Sequence, residues 1–146
     1  MSESPLHVTL LVDRDIATHE LAASCLSGAC ALLGATTLSL ALELAEERPP
    51  SLVLIEDGVG DMPADVAAAQ VRAHAPFARV MVLLAPSNDE APKGLQALGP
   101  ILRKPLDSAS FYEAVVATLR LCTDAPPRAA RPPRRSAPTR KDKPIP

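Results

Sequence analysis

The sequence predicts an α/β fold in which five strand–helix units form a doubly wound parallel sheet. Short apolar runs alternate with segments of helical spacing along residues 6–121. The strand candidates are apolar at nearly every position, which is typical of strands covered by helices on both faces. The chain has 146 residues, and 47% of them are hydrophobic, which is enough apolar material for one core and one folded domain.

Strands are predicted where apolar residues run without interruption between polar or turn-forming residues: 6–12, 35–38, 51–55, 79–84 and 101–102. The first run ends at a polar triplet, and the third is followed by a loop with two glycines and three acidic residues. The second candidate is short, and the spacing around it predicts a rudimentary strand or a displaced second helix. Right-handed crossovers between such strands give a parallel sheet.

Helices are predicted where apolar residues recur at helical spacing: 16–33, 40–47, 64–75, a short segment after Pro92, and a last helix ending near 121. Gly34 is expected to end the first helix, and Pro49 with the next proline ends the second. Asp107 or Ser108 can cap the last helix.

Charge is distributed unevenly along the chain. The formal net charge is −2, but residues 1–121 carry −7 and residues 122–146 carry +5. The second segment is rich in arginine and proline and poor in large apolar residues, so we expect it to be disordered when free. The sequence therefore predicts a folded domain over 1–121 and a basic tail over 122–146 that meets an anionic partner.

Several function classes are not expected from this composition. Aromatic residues are only 2% of the chain, which excludes a base-stacking platform, and no nucleophile triad, metal-spaced histidine cluster or glycine-rich phosphate loop is visible. We expect no enzyme and no metal. Three cysteines do not make a disulfide framework. No signal peptide or membrane span is visible, so a cytoplasmic protein is expected.

Four residues fall at the carboxyl ends of predicted strands, where ligands bind in this type of sheet. They are Asp13 after the first strand, Glu56 after the third, Leu84 at the end of the fourth and Lys104 after the fifth. Their order and spacing resemble those of the CheY-like receiver domains of response regulators. The resemblance implies the flavodoxin/CheY-like strand order 2-1-3-4-5, which is given for CheY itself in general accounts of this fold.

The resemblance also implies that the phosphorylation chemistry has been lost. Receivers pair two acids after the first strand, but the second acid aligns here with Arg14, whose charge opposes Mg²⁺. Glu56 stands at the phosphoacceptor aspartate, Leu84 at the hydroxyl residue, and Ile101 at the aromatic switch residue. Asp57 is an alternative acceptor that lies one residue away, on the other face of the strand. Lys104 is expected to form an ion pair with Glu56.

The arginine-rich tail is similar to that of the Cle proteins, CheY-like effectors that bind cyclic di-GMP. Arginine suits this ligand because its planar fork bonds guanine edges and phosphate. The expected ligand contacts are Arg128, Arg131, Arg134, Arg135, Ser136, Arg140 and Asp142. The resemblance implies that nucleotide binding to the tail promotes docking of the receiver on the flagellar motor switch protein FliM, at the base of the motor.

Two other functions remain open. The tail could bind nucleic acids without sequence preference, in which case affinity depends steeply on salt. The receiver could also act as a protein-interaction adaptor, with Glu56 holding its surface in one state. No specific DNA binding and no membrane insertion are expected.

Overall fold

A computed structural model describes residues 7–124. These residues form a five-stranded parallel sheet whose strands, numbered along the chain, lie in the order 2-1-3-4-5, and helices cover both of its faces. The α/β class and the strand order expected for a flavodoxin/CheY-like fold are therefore confirmed.

The strands are five uninterrupted segments with parallel partners on each side of β1, β3 and β4. Their bounds are β1 Val8–Val12, β2 Ala31–Ala35, β3 Leu52–Glu56, β4 Arg79–Leu84 and β5 Ile101–Arg103. The register places Ile55 beside Val12 and Glu56 beside Leu83, so the carboxyl ends of the central strands are level with one another. This edge of the sheet carries the candidate site.

Five α-helices connect or follow the strands: α1 Ile16–Leu26, α2 Leu38–Glu47, α3 Ala64–Arg72, α4 Lys93–Leu98 and α5 Ser108–Asp124. A short 3-10 helix, Val59–Asp61, precedes α3. Asp15 caps α1 through its side chain, which accepts a hydrogen bond from the Ala17 amide, and Thr37 caps α2 in the same way. Helix α4 is short, as Pro92 predicts.

Two hydrophobic cores lie on opposite faces of the sheet. One contains Leu10, Val53 and Val82 under α2, α3 and α4, and the other contains Leu54 and Phe111 under α1 and α5. Phe111 is the largest fully buried side chain. Burial of each such side chain stabilises the fold by roughly 1.5–3 kcal/mol, which fixes the helices that position the site.

The predicted boundary between α1 and β2 is wrong. The first helix ends at Leu26, and Gly28, with φ of +85°, makes the turn that leads into β2. Gly34 lies inside β2, where a side chain at this position would come within 2.7 Å of the His19 ring. Strand β2 is five residues long and fully paired with β1, so it is not rudimentary. The second helix, α2, buries Leu38, Ala41 and Ala45 in the core on one face of the sheet.

Helix α5 continues to Asp124, three residues beyond the predicted end of the folded segment at 121. Leu119 and Cys122 pack against the core under this helix. Within residues 7–124, none of the helices has the combination of length and apolar character that crossing a lipid bilayer requires.

Candidate functional site

Three strand ends at the carboxyl edge of the sheet bring Asp13, Arg14, Glu56 and Lys104 together. Asp13 and Arg14 follow β1, Glu56 ends β3, and Lys104 follows β5. The residues come from distant parts of the chain, but parallel strands place their carboxyl ends at the same edge. The sequence-predicted members of the degenerate site are thus adjacent in space.

Asp13 and Lys104 form the buried half of this site. Asp13 is fully buried, and Lys104 Nζ lies 2.9 Å from its Oδ2 atom. The same ammonium group donates a hydrogen bond of 3.1 Å to Oδ1, which also accepts from the Asp15 amide at 2.8 Å. The contact with Oδ2 lacks hydrogen-bond geometry and is therefore ionic. Both oxygens of the carboxylate are engaged by this cation.

Glu56 and Arg14 form the outer half. Arg14 Nε lies 3.0 Å from Glu56 Oε1, and Arg14 Nη2 lies 3.2 Å from Glu56 Oε2. The guanidinium therefore donates two parallel hydrogen bonds to the carboxylate. The Arg14 amide donates a third bond of 2.9 Å to Oε1. The Glu56 side chain is only 14% exposed, whereas that of Arg14 is 54% exposed.

These contacts change the acidity of both groups. Burial by itself raises the pKa of Glu56, but the hydrogen bonds from the Arg14 side chain and amide, with the nearby charge of Lys104, bring this pKa below its ordinary value. The hydrogen bond to Glu56 and the charge of that carboxylate raise the pKa of Arg14. Glu56 therefore remains an anion and Arg14 a cation at neutral pH.

The expected Lys104–Glu56 ion pair is secondary. Lys104 Nζ lies 3.8 Å from Glu56 Oε2 but 2.9 Å from Asp13 Oδ2. The reason is that Arg14 already occupies Glu56, while Asp13 lies in the dry interior, where an uncompensated charge is most unfavourable.

Leu84 and Ile101 stand where the receiver pattern has a hydroxyl residue and an aromatic residue. Leu84 is buried at the end of β4 and packs in the core under α3 and α4, and Ile101 packs against the same core from β5. The nearby Ser87 hydroxyl accepts from the Asp89 amide within its own loop. Leu84 and Ile101 thus serve packing.

Comparisons with known proteins identify only the fold. Neither a protein-family model nor a curated protein sequence matches the chain. Solved structures do match. The signal receiver domain of an HD domain-containing protein from Pseudomonas fluorescens Pf-5 has 21% identity and a TM-score of 0.71, over 90% of this chain and 98% of that one. The signal receiver domain of a LuxO repressor protein from Vibrio parahaemolyticus has 16% identity and a TM-score of 0.70. The match covers 81% of this chain and 93% of that domain's chain.

A third match decides the type of fold. A CheY-like response regulator receiver domain from Methanospirillum hungatei JF-1 has 18% identity and a TM-score of 0.69, over 82% of this chain and 98% of that chain. The chain has the fold of a CheY-like receiver domain. The receiver fold implies a Mg²⁺ site built from acidic residues at the carboxyl edge of the sheet.

The residues at this edge do not fit Mg²⁺. A hard divalent cation needs free oxygen ligands, but Lys104 occupies the oxygens of Asp13 and Arg14 those of Glu56. Within residues 7–124, no group of three acidic, histidine or cysteine side chains is placed to hold a metal ion.

Asp57, the alternative acceptor, points away from this receiver site. Its Oδ1 atom accepts a hydrogen bond of 2.8 Å from the Ala64 amide at the start of α3. The carboxylate therefore stabilises the first turn of that helix, as expected for an acid at a helix N-terminus.

The expected ligand contacts in the tail lie outside the described residues: Arg128, Arg131, Arg134, Arg135, Ser136, Arg140 and Asp142.

His19 contacts the site, although the sequence does not predict this contact. Its Nε2 atom lies 2.8 Å from the Asp13 carbonyl oxygen. A lone histidine in a helix gives no signal of this contact, because the partner is a backbone atom.

Proposed function

We propose that this chain is a phosphorylation-independent signalling protein. Its receiver-fold body docks on a protein partner, and its arginine-rich C-terminal segment binds cyclic di-GMP as the input. The proposed partner is the motor switch protein FliM, which follows from the resemblance to the Cle proteins, and the proposed effect is a change in motility.

The arrangement of Glu56 supports independence from phosphorylation. Both carboxylate oxygens accept bonds from Arg14, and the pKa of Glu56 is lowered, so the group is a fixed anion. Phosphoryl transfer to a carboxylate relies on a metal ion to neutralise charge. Arg14 and Lys104 take the oxygens that such an ion would need.

A direct test uses a small-molecule phosphodonor. Full-length protein is incubated with acetyl phosphate and Mg²⁺, and intact mass spectrometry measures any phosphoryl adduct. We expect no adduct. A D57N variant is treated in parallel, and an adduct that appears in the wild type and disappears in D57N would establish Asp57 as an acceptor and contradict the proposal.

The nucleotide is proposed from the chemistry of the C-terminal segment. Five arginines lie within residues 128–140, and guanidinium groups bond both guanine edges and phosphates. Cyclic di-GMP offers two guanines and two phosphates in a compact ligand. Clustered arginines of this kind can therefore donate to its phosphate oxygens and to guanine O6 and N7.

Titration calorimetry with cyclic di-GMP tests this ligand in the full chain. R134A/R135A is expected to lower the affinity at least tenfold, because each charged contact contributes about 1.5–3 kcal/mol. The matched control is R48A/R120A, which removes two exposed arginines from the receiver body. An equal loss of affinity in both variants would indicate a general charge effect. In a separate competition experiment, displacement of cyclic di-GMP by an unrelated oligonucleotide would favour nonspecific nucleic-acid binding.

Docking is tested with purified FliM and full-length protein, with and without cyclic di-GMP. The proposal requires tighter binding when the nucleotide is present. Binding that is equally tight in both conditions would instead favour the protein-only adaptor, in which Glu56 and Arg14 hold the receiver surface in one state.

A further inference from the structure

A groove lies on the receiver body beside the degenerate site. It is open, has a volume of about 620 Å³, and runs between the segment after β3 and the start of α4. Its apolar lining includes Met62, Pro92 and Leu95, and its carboxylate lining consists of Asp57, Asp61 and Asp65. Apolar surface next to a row of acids is suited to a ligand that is both apolar and cationic.

Within residues 7–124, two carboxylates of this acidic groove, Asp61 and Asp65, have no cation in direct contact, although the charge of Arg14 acts on Asp61 at longer range. Both residues are exposed. Asp65 Oδ2 lies 3.7 Å from where a side chain on Gly94 would begin, so this oxygen faces α4 across the groove. Lys93, between the lining residues Pro92 and Gly94, is exposed, and three lining carboxylates leave an acidic excess within the described part of the chain.

Residues 125–146 of the same chain have the complementary chemistry. They contain seven lysines and arginines, one acid and seven prolines, whereas residues 7–122 carry a net charge of −6. Arg128, Arg131 and Arg134 are spaced by three, with a Pro-Pro step before the first and the last. In a polyproline II helix, which has three residues per turn, side chains at this spacing share one face.

The chain is long enough for this contact. Helix α5 ends at the opposite edge of the sheet, because Cys122 Sγ contacts the Ser51 carbonyl oxygen just before β3. The groove lies one strand length away and across the sheet, about 17 Å along the strands and about 20 Å through the layers. Residues 134–140 lie 10–16 positions beyond Asp124, a contour of about 30–50 Å at polyproline spacing.

We propose that the segment around residues 134–140 occupies the acidic groove of its own receiver body. Its proline contacts the apolar surface beside Met62 and Leu95, and its arginines pair with Asp61 and Asp65. This self-contact covers the arginines with carboxylates, so an anionic ligand must displace it. The inference does not rest on the identity of the nucleotide, because it concerns the chain without ligand.

NMR of the full chain without nucleotide tests the contact. Amide shifts are compared between the wild type and R134A/R135A/R140A at low ionic strength. We expect the shift changes in the folded body to concentrate at Gly58, Asp61, Asp65 and Gly94. They should be lost near 1 M salt, where the Debye length falls to about 3 Å.

The reciprocal experiment changes the groove. D61N/D65N should shift the amides of Ala137 and Thr139, whereas E46Q/E47Q removes the same charge from exposed positions on α2 and should leave them in place. Shift changes spread over the body, or equal effects of both variants, overturn the proposal. Shifts that depend on protein concentration indicate a second copy as occupant and overturn it as well. These shifts are measured without nucleotide, so failure of the self-contact is distinguishable from failure of nucleotide binding, which titration measures separately.

Discussion

The two ion pairs of the degenerate site differ in how deeply each carboxylate is buried. Asp13 is fully buried, and Lys104 is its cation, whereas Glu56 is partly exposed and is held by an arginine that is open to solvent. Removing one partner of a buried pair leaves an uncompensated charge, which is far more destabilising than loss of a surface pair. The pairs should therefore respond differently to mutation.

K104M is expected to lower the free energy of unfolding by about 3 kcal/mol, because the buried Asp13 loses its cation. R14A should cost much less, since the guanidinium is open to solvent and water can replace much of its contact with Glu56. Urea unfolding at neutral pH measures both. D13N/K104M should recover part of the loss, and a double variant as unstable as K104M would contradict this assignment.

The acidity of Glu56 predicts a pH dependence. Its pKa in the folded protein lies below the ordinary value, so its stabilising contribution is complete above the unfolded pKa of about 4.3. The contribution is lost as pH falls through the folded pKa. The difference in unfolding free energy between wild type and E56Q should therefore be present at pH 7 and shrink towards pH 3. A difference that stays constant over this range would contradict the assignment.

At the scale of elements, the sequence predicted β1, β3, β4 and α5 closely because each is an apolar or amphipathic run with clear ends. It failed at α1 and β2, where Ala31–Leu33 continue a helical pattern. Gly34 after such a pattern predicts a helix end, but the His19 ring lies over this glycine and leaves no room for a side chain. That contact joins residues fifteen positions apart and is invisible to local pattern.

In the candidate site, the positions of the residues follow from the sequence, whereas the choice of ion-pair partners depends on packing. The strand ends located Asp13, Glu56, Leu84 and Lys104 correctly, because parallel topology fixes where such residues meet. The pairing was not predictable, because two carboxylates and two cations allow alternative partners. Relative burial chose between them.

Two glycines around α4 provide a prediction about the element that borders the acidic groove. A Cβ on Gly99 would lie 1.9 Å from the Val80 carbonyl oxygen, so G99A must displace β4 or β5. We expect a loss of about 3 kcal/mol, as for other overpacked interiors. G94A is the matched control, since its Cβ would make an ordinary contact of 3.7 Å and alanine favours the helix. Urea unfolding of the two variants should differ clearly.

At the scale of the whole molecule, the proposed self-contact and the proposed ligand compete for the same arginines. D61N/D65N should therefore tighten cyclic di-GMP binding by about three- to tenfold, which corresponds to roughly 0.7–1.4 kcal/mol. Titration calorimetry at fixed salt measures the change. E46Q/E47Q, with an identical change of net charge, should leave the affinity close to that of the wild type. Equal tightening in both would assign the effect to net charge alone.

The interlocked pairs of the degenerate site also constrain the evolution of this chain. A working phosphorylation site would require at least an acid at position 14, an aspartate at 56 and a hydroxyl at 84. Changing Arg14 alone leaves Glu56 without its counter-ion, and a hydroxyl at 84 alone places a polar group in an apolar core. Each first step is unfavourable before the others are in place. The two ion pairs therefore oppose any stepwise route to a working phosphorylation site at this edge of the sheet.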